Sequence, residues 1–284
     1  VVDIRAVGPG IWNSWKRQLL GTLFESTEEV LRLGHKQHGR RERVIAKQDA
    51  ARAALGIDEG RFVQLARKLD DAYWIAEPED IIAQNLQLID AHDSEPLTVA
   101  AEFYPARGAT LVTVSAADHP GLFYRIAGGI HLAGGNIIDA RIHTRRDGMA
   151  LDNFLVQDPL GRPFMEESQI ARLKTAIADA LANRVALTPR LIARPVARPR
   201  AEAFSIAPNV LVDNKASNRF TVVEVNALDR PALLNRLAFA LFDLKCIVHS
   251  AHVATYGERA VDTFYVTDLL GDKIDSKSRL KTLE

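Results

Sequence analysis

Cysteine is nearly absent. Cys246 stands alone in 284 residues, so neither an internal disulfide nor a thiolate zinc cluster can form, and a reducing, cytoplasmic setting is expected. Charge of one sign is not in excess: 36 basic and 36 acidic side chains cancel, which removes the overall field that draws a protein to nucleic acid or anionic lipid. No run of residues reaches the roughly 18 apolar positions needed to span a bilayer. The N-terminus also lacks a basic-then-apolar signal pattern. Neither a membrane nor a nucleic-acid partner is therefore expected. A glycine-rich phosphate loop is missing too, since Gly128-Gly129 and Gly134-Gly135 fall within or at the end of an apolar helical pattern. No serine, nor Cys246, sits at a strand-to-helix elbow flanked by glycines, so a nucleophilic triad has no support. His119, His131 and His143, or His249 and His252, make a poor metal set, because strand residues three apart point to opposite faces.

What the chain does have is an internal repeat. Asp118-His119-Pro120-Gly121-Leu122-Phe123 reappears as Asp229-Arg230-Pro231-Ala232-Leu233-Leu234. Further on, Asp152, Phe154, Val156, Asp158 and Gly161 recur as Asp262, Phe264, Val266, Asp268 and Gly271, with one residue fewer in the intervening turn. Each copy reads alike. A strand comes first, over residues 110–116 and 220–227, where β-branched residues alternate with small or polar ones. An amphipathic helix follows, with Leu122, Ile126 and Ile130 in one copy and Leu233, Leu237 and Leu241 in the other. Gly134-Gly135 ends the first of these helices, whereas Leu244-Lys245 in the second needs another cap. A hairpin comes next, over 137–144 and 150–158, then 247–255 and 260–268. A second helix spans 166–183. In the second copy it is only beginning at 276–283.

The expected fold class is α+β, with two ferredoxin-like βαββαβ modules, the second truncated. The first module spans residues 97–187, its fourth strand beginning at Arg184-Val185-Ala186-Leu187; the second spans 219–284 and would leave one sheet edge incompletely covered. Residues 188–218, with Pro189, Pro195, Pro199 and Pro208 and five arginines between Arg190 and Arg219, read as a solvated linker. The central strands offer Ile138, Ala140, Ile142, Ala251 and Val253, not the stacking aromatics an RNA-binding sheet of this order requires. Residues 1–95 are of a different, all-α character: helices are expected over 11–34, 42–55, 60–69 and 79–91, the last opened by Pro78. The chain opens without Met at Val1-Val2-Asp3 and is expected to be a piece of a longer protein, its helical segment completing a domain that begins upstream.

The candidate site is the turn between first strand and first helix. There the amides of Gly121, Leu122 and Phe123, or of Ala232, Leu233 and Leu234, are orphan donors at the positive end of a helix and suit a carboxylate. Asp118 or Asp229 can accept from an ammonium, with His119 and Arg230 beside them. A free amino acid presents both groups.

Asp118-His-Pro-Gly-Leu-Phe, Gly135-Asn-Ile-Ile-Asp-Ala-Arg-Ile and Asp152-Asn-Phe-Leu-Val-Gln-Asp resemble an ACT domain, and the second copy is similar. With Val2-Asp-Ile-Arg-Ala-Val-Gly-Pro-Gly-Ile-Trp-Asn-Ser-Trp-Lys ahead of the pair, the whole chain resembles the C-terminal portion of the bifunctional protein-PII uridylyltransferase and uridylyl-removing enzymes. The resemblance implies a glutamine-sensing region behind a nucleotidyltransferase domain and an HD-type hydrolase domain. Those domains would need Mg2+ or Mn2+, and their motifs are absent here, so this chain alone should catalyse neither reaction. Asp3 matches the position of the last HD-type metal ligand. The resemblance also implies that Asn136, near the start of the second strand, joins Asp118 and the 121–123 amides. The second site departs from the pattern at Ala232 and Ile247, which puts ligand binding there in doubt. Two alternatives stand beside this reading: an amino-acid-binding ACT pair from a different biosynthetic enzyme, and a protein-docking module without a small ligand.

Overall fold

A computed structural model describes residues 40–187, 207–230, 232–256 and 259–283. The expected helix over 11–34, Asp3 and Pro231 lie outside them. The helical segment consists of α1 (Arg40–Leu55), α2 (Glu59–Ala66), α3 (Asp71–Ala76) and α4 (Glu79–His92). The helix expected over 60–69 stops at Ala66, and a further short helix follows. The reason is a second cap: the Asp58 carboxylate accepts from the Arg61 amide at 3.0 Å, and the Asp70 carboxylate from the Tyr73 amide at 2.8 Å. Phe62, Leu65, Tyr73, Trp74, Ile82, Leu86 and Ile89 form the core of this segment.

The rest of the chain builds β1 (Leu97–Tyr104), β2 (Ala109–Ala117), α5 (Leu122–Leu132), β3 (Asn136–Arg141), β4 (Met149–Gln157) and α6 (Glu167–Leu181). It then builds β5 (Asn209–Asp213), β6 (Thr221–Leu228), α7 (Leu233–Asp243), β7 (Ile247–Tyr256), β8 (Arg259–Thr267) and α8 (Lys277–Leu283). The α+β class and the paired modules stand as read. The position of the fourth strand is corrected: it comes first, β1 opening the first module and β5 leading into the second, so the order is ββαββα. Residues 184–187 form no strand. Instead β1 lies antiparallel on β2 along its full length, and β5 does the same on β6. The edge expected to lie uncovered in the second module is filled by Asn209-Val210-Leu211-Val212-Asp213, drawn from the stretch read as linker. Four prolines ahead of a five-residue run in which only Val210 and Val212 are β-branched masked its strand pattern. Lys245 supplies the missing helix cap by adopting φ 60° itself.

The eight strands of the described residues form one sheet, in the order β1-β2-β4-β3-β7-β8-β6-β5. The joint is antiparallel pairing of β3 with β7, Ala140 opposite Ala251 and Arg141 opposite Ser250. One apolar core runs across it, with Phe154 and Phe264 both fully buried and Phe123 packed edge-on against Phe264 at 6.5 Å. The joint is reinforced by the Asn235 amide donating to the Tyr124 carbonyl at 2.7 Å, by Tyr124 against Phe239 and Phe242, and by His252 beside Asp139 at 3.3 Å.

The opposite face of the first module carries the helical segment. Fully buried Glu77 accepts from Arg141 (3.1 Å) and Asn153 (3.0 Å) and shares a 2.7 Å hydrogen bond with His143. Burial alone would raise the Glu77 pKa; the hydrogen bond and charge of His143, then Arg141 and Asn153, outweigh it and hold the carboxyl below its ordinary value. Removing one partner of such a set strands the other charges in a buried site. Glu77→Ala should therefore lower unfolding free energy by roughly 3 to 5 kcal/mol in urea titrations.

Candidate functional site

Both strand-to-helix turns take up a left-handed residue just before the helix: Gly121 at φ 93° and Ala232 at φ 60°. Glycine adopts that conformation freely, whereas Ala232 is strained in it, so the second turn holds a geometry its sequence disfavours. The Leu122 amide donates to the His119 carbonyl and the Leu233 amide to the Arg230 carbonyl, each at 3.1 Å. These two amides, expected among the ligand donors, thus close their own turns. The Asp118 carboxylate accepts from the Thr144 hydroxyl, and its amide donates to the Gly148 carbonyl at 3.2 Å, which ties the first turn to the β3–β4 hairpin.

Each turn opens onto a cavity. The first, about 160 Å³, is lined by residues 118–124 and Asp152 and, from the second module, by Phe242, Cys246 and Ile247. The second, about 240 Å³, is lined by Asp229, Arg230, Ala232, Leu233, Leu234 and Asp262 and, from the first module, by Gly135, Asn136 and Ile137. A cleft of about 510 Å³ between α4 and β1 contains neither turn. Asn136 is therefore not beside Asp118, as expected, but beside Asp229, and Ile247 is the residue that faces Asp118. The cause is the sheet joint. When equivalent strands pair antiparallel, the beginning of β3 is carried to the second module's turn and the beginning of β7 to the first module's. The second turn's cavity is thus lined by the carboxamide and the first turn's by the isoleucine, while the departure at Ala232, with its positive φ, remains at the second turn.

Two aspartates that the sequence marks only as positions of the repeat also line these cavities. Asp152 and Asp262, 0% and 2% exposed, occupy the same register position of β4 and β8, on the core-facing side with Ala150, Phe154 and Val156, or Ala260, Phe264 and Val266. Asp152 Oδ2 and Asp262 Oδ1 have no hydrogen-bond partner among the described residues. The other Asp152 oxygen accepts only a long 3.4 Å bond from the His143 amide. Burial, with Asp118 nearby, raises the Asp152 pKa well above the carboxylate range; burial, with Asp229 nearby, pushes Asp262 up to about 7. A carboxyl interrupting a period-two apolar run in both copies was the legible signal.

Among the described residues no three His, Cys, Asp or Glu side chains gather to hold a metal, and no helix is long and apolar enough to cross a membrane. Cys246 is buried, with its thiol pKa raised by burial.

No family model matches the chain. Among curated proteins, it is 73% identical over 284 residues to a bifunctional uridylyltransferase/uridylyl-removing enzyme of Novosphingobium aromaticivorans, a match covering 100% of this chain and 31% of that protein. A protein of the same description from Erythrobacter litoralis is 62% identical, covering 99% and 31%, and one from Zymomonas mobilis is 48% identical, covering 100% and 31%. The chain spans about a third of the length of these relatives.

The Asp262 carboxyl makes a pH prediction. Its folded pKa, about 7, lies above the unfolded value of roughly 3.9, so the folded state holds the proton longer and stability falls as pH rises between those values. Asp262→Asn should flatten that fall between pH 5 and pH 7, with its largest relative gain in melting temperature at pH 8.

Proposed function

We propose that this chain, which corresponds along its whole length to a C-terminal portion of the bifunctional uridylyltransferase/uridylyl-removing enzymes, is the region through which such an enzyme senses a small amino acid, glutamine first among them. The whole protein would add UMP to the PII protein or remove it, and the bound amino acid would bias that choice. These relatives leave an amino-acid-binding pair from a different biosynthetic enzyme without support.

The observation that carries the reading is the 240 Å³ cavity at the module joint, where a helix-opening turn, an aspartate and a carboxamide converge. The Ala232 and Leu234 amides and Arg230 suit the ligand carboxylate. Asp229 suits its ammonium. Asn136 offers both a donor and an acceptor to a side-chain amide. A ligand held by Asn136 on one side and by Asp229, Arg230 and residues 232–234 on the other is held by both modules, so it favours whichever arrangement keeps β3 on β7. A ligand shifts an equilibrium only by its differential affinity for the two states. Coupling of about 1 to 3 kcal/mol is typical of such devices. The helical segment would receive that bias through Glu77, which grips Arg141 at the end of β3.

Calorimetric titration with glutamine should show saturable binding. Asn136→Ala and Asp229→Ala should each weaken it at least tenfold, a loss of about 1.4 kcal/mol, while Ile247→Ala leaves it unchanged. Neither heat nor thermal stabilisation at millimolar glutamine would remove the proposal's support.

A further inference from the structure

We propose that Asp262 is the specificity-determining residue of the joint cavity, making it accept a ligand whose side chain ends in a neutral hydrogen-bond donor and refuse one that ends in a carboxylate. Asp152 occupies the equivalent place in the smaller cavity. The inference rests on the amino-acid-sensing reading and adds to it the residue that chooses among amino acids.

The position is a costly one for a carboxyl. Ala260, Phe264 and Val266 share its side of β8 and are buried in the apolar core, and Asp262 itself is 2% exposed. A buried carboxyl without partners destabilises the fold, and an apolar residue of similar size would not. Stability therefore gives no reason for an acid here. Neither does the local hydrogen bonding, since Oδ1 meets no donor among the described residues. The same residue type recurs at the same register in the other module, again with one oxygen unmet and again lining the cavity under its turn. An unsatisfied acceptor in both copies of the repeat, each beside a cavity, points to a group whose partner arrives with the ligand.

The neighbours define what that ligand can be. Asp229 lines the same cavity and raises the Asp262 pKa by its charge, so the two carboxyls are close enough to feel each other. A further carboxylate brought between them would be repelled by the Asp229 charge, and by Asp262 as well once Asp262 has lost its proton above about pH 7, and its desolvation would go uncompensated. A carboxamide N–H offers the hydrogen bond that Oδ1 lacks and adds no charge. A site built around an unpaired polar group rejects analogues that leave it unpaired far more strongly than a merely apolar pocket does. Glutamine and glutamate differ in this group alone.

The test is titration of the chain and two variants, Asp262→Asn and the smaller Asp262→Ser, with glutamine and with glutamate, each variant first checked for a cooperative melt. The unaltered chain should bind glutamine and exclude glutamate. Both variants should narrow that preference at least tenfold, Asp262→Asn mainly by gaining glutamate. Glutamine binding with the preference unchanged in both variants would overturn the role of Asp262 and leave the sensing reading intact. Failure of the unaltered chain to bind glutamine would overturn both.

Discussion

The antiparallel contact between β3 and β7 is the constraint on which the remaining architecture depends. Only two residue pairs define its ladder, Ala140 with Ala251 and Arg141 with Ser250. Small residues let the strands approach, and the apolar core beneath them runs unbroken from Phe154 to Phe264. Without this joint each module would expose the edge strand that its helices do not cover. With it, two four-stranded sheets become one, and each turn gains a wall from its neighbour. A site composed in this way is sensitive to the relative placement of the modules, which is what a regulatory region requires. A site contained within one module would report occupancy but would have no geometric hold on the other.

The second constraint lies on the opposite face. Strands β2 and β4 are buried on both sides, by α5 and α6 on one and by the helical segment on the other. Glu77 sits at that contact, and the residues it grips, Arg141, His143 and Asn153, belong to β3, the following loop and β4. The His143 amide in turn reaches Asp152, which lines the smaller cavity. A continuous polar path therefore joins the helical segment to the cavity under the first turn. Arg145, itself buried, adds an ion pair to Asp93 at the end of α4.

Much of this was legible in the chain, for identifiable reasons. The repeat, the paired turns and the amphipathic helices follow from apolar spacing that only one fold can bury. Leu122, Ile126 and Ile130 line up because a helix returns to the same face, and all three are buried. The strand Asn209–Asp213 is not legible locally because its five residues follow a run of prolines that ends at Pro208, and its pairing with β6 is a long-range choice that local pattern does not encode. Asn136 was assigned to the wrong turn for a related reason: a motif records which residues matter, whereas the sheet joint decides which of them meet. Asp152 and Asp262 stand out in the sequence only as matching positions of the repeat, because local pattern shows neither their burial nor the cavities they line.

A crystal structure of the chain grown in saturating glutamine tests the central claim most directly, because that claim concerns where two modules jointly hold one molecule. The account predicts glutamine between Asn136 and the Asp229–Leu234 turn, its side-chain amide within hydrogen-bond distance of Asp262 Oδ1. An empty joint cavity at saturation, or glutamine held entirely by residues of a single module, would contradict it.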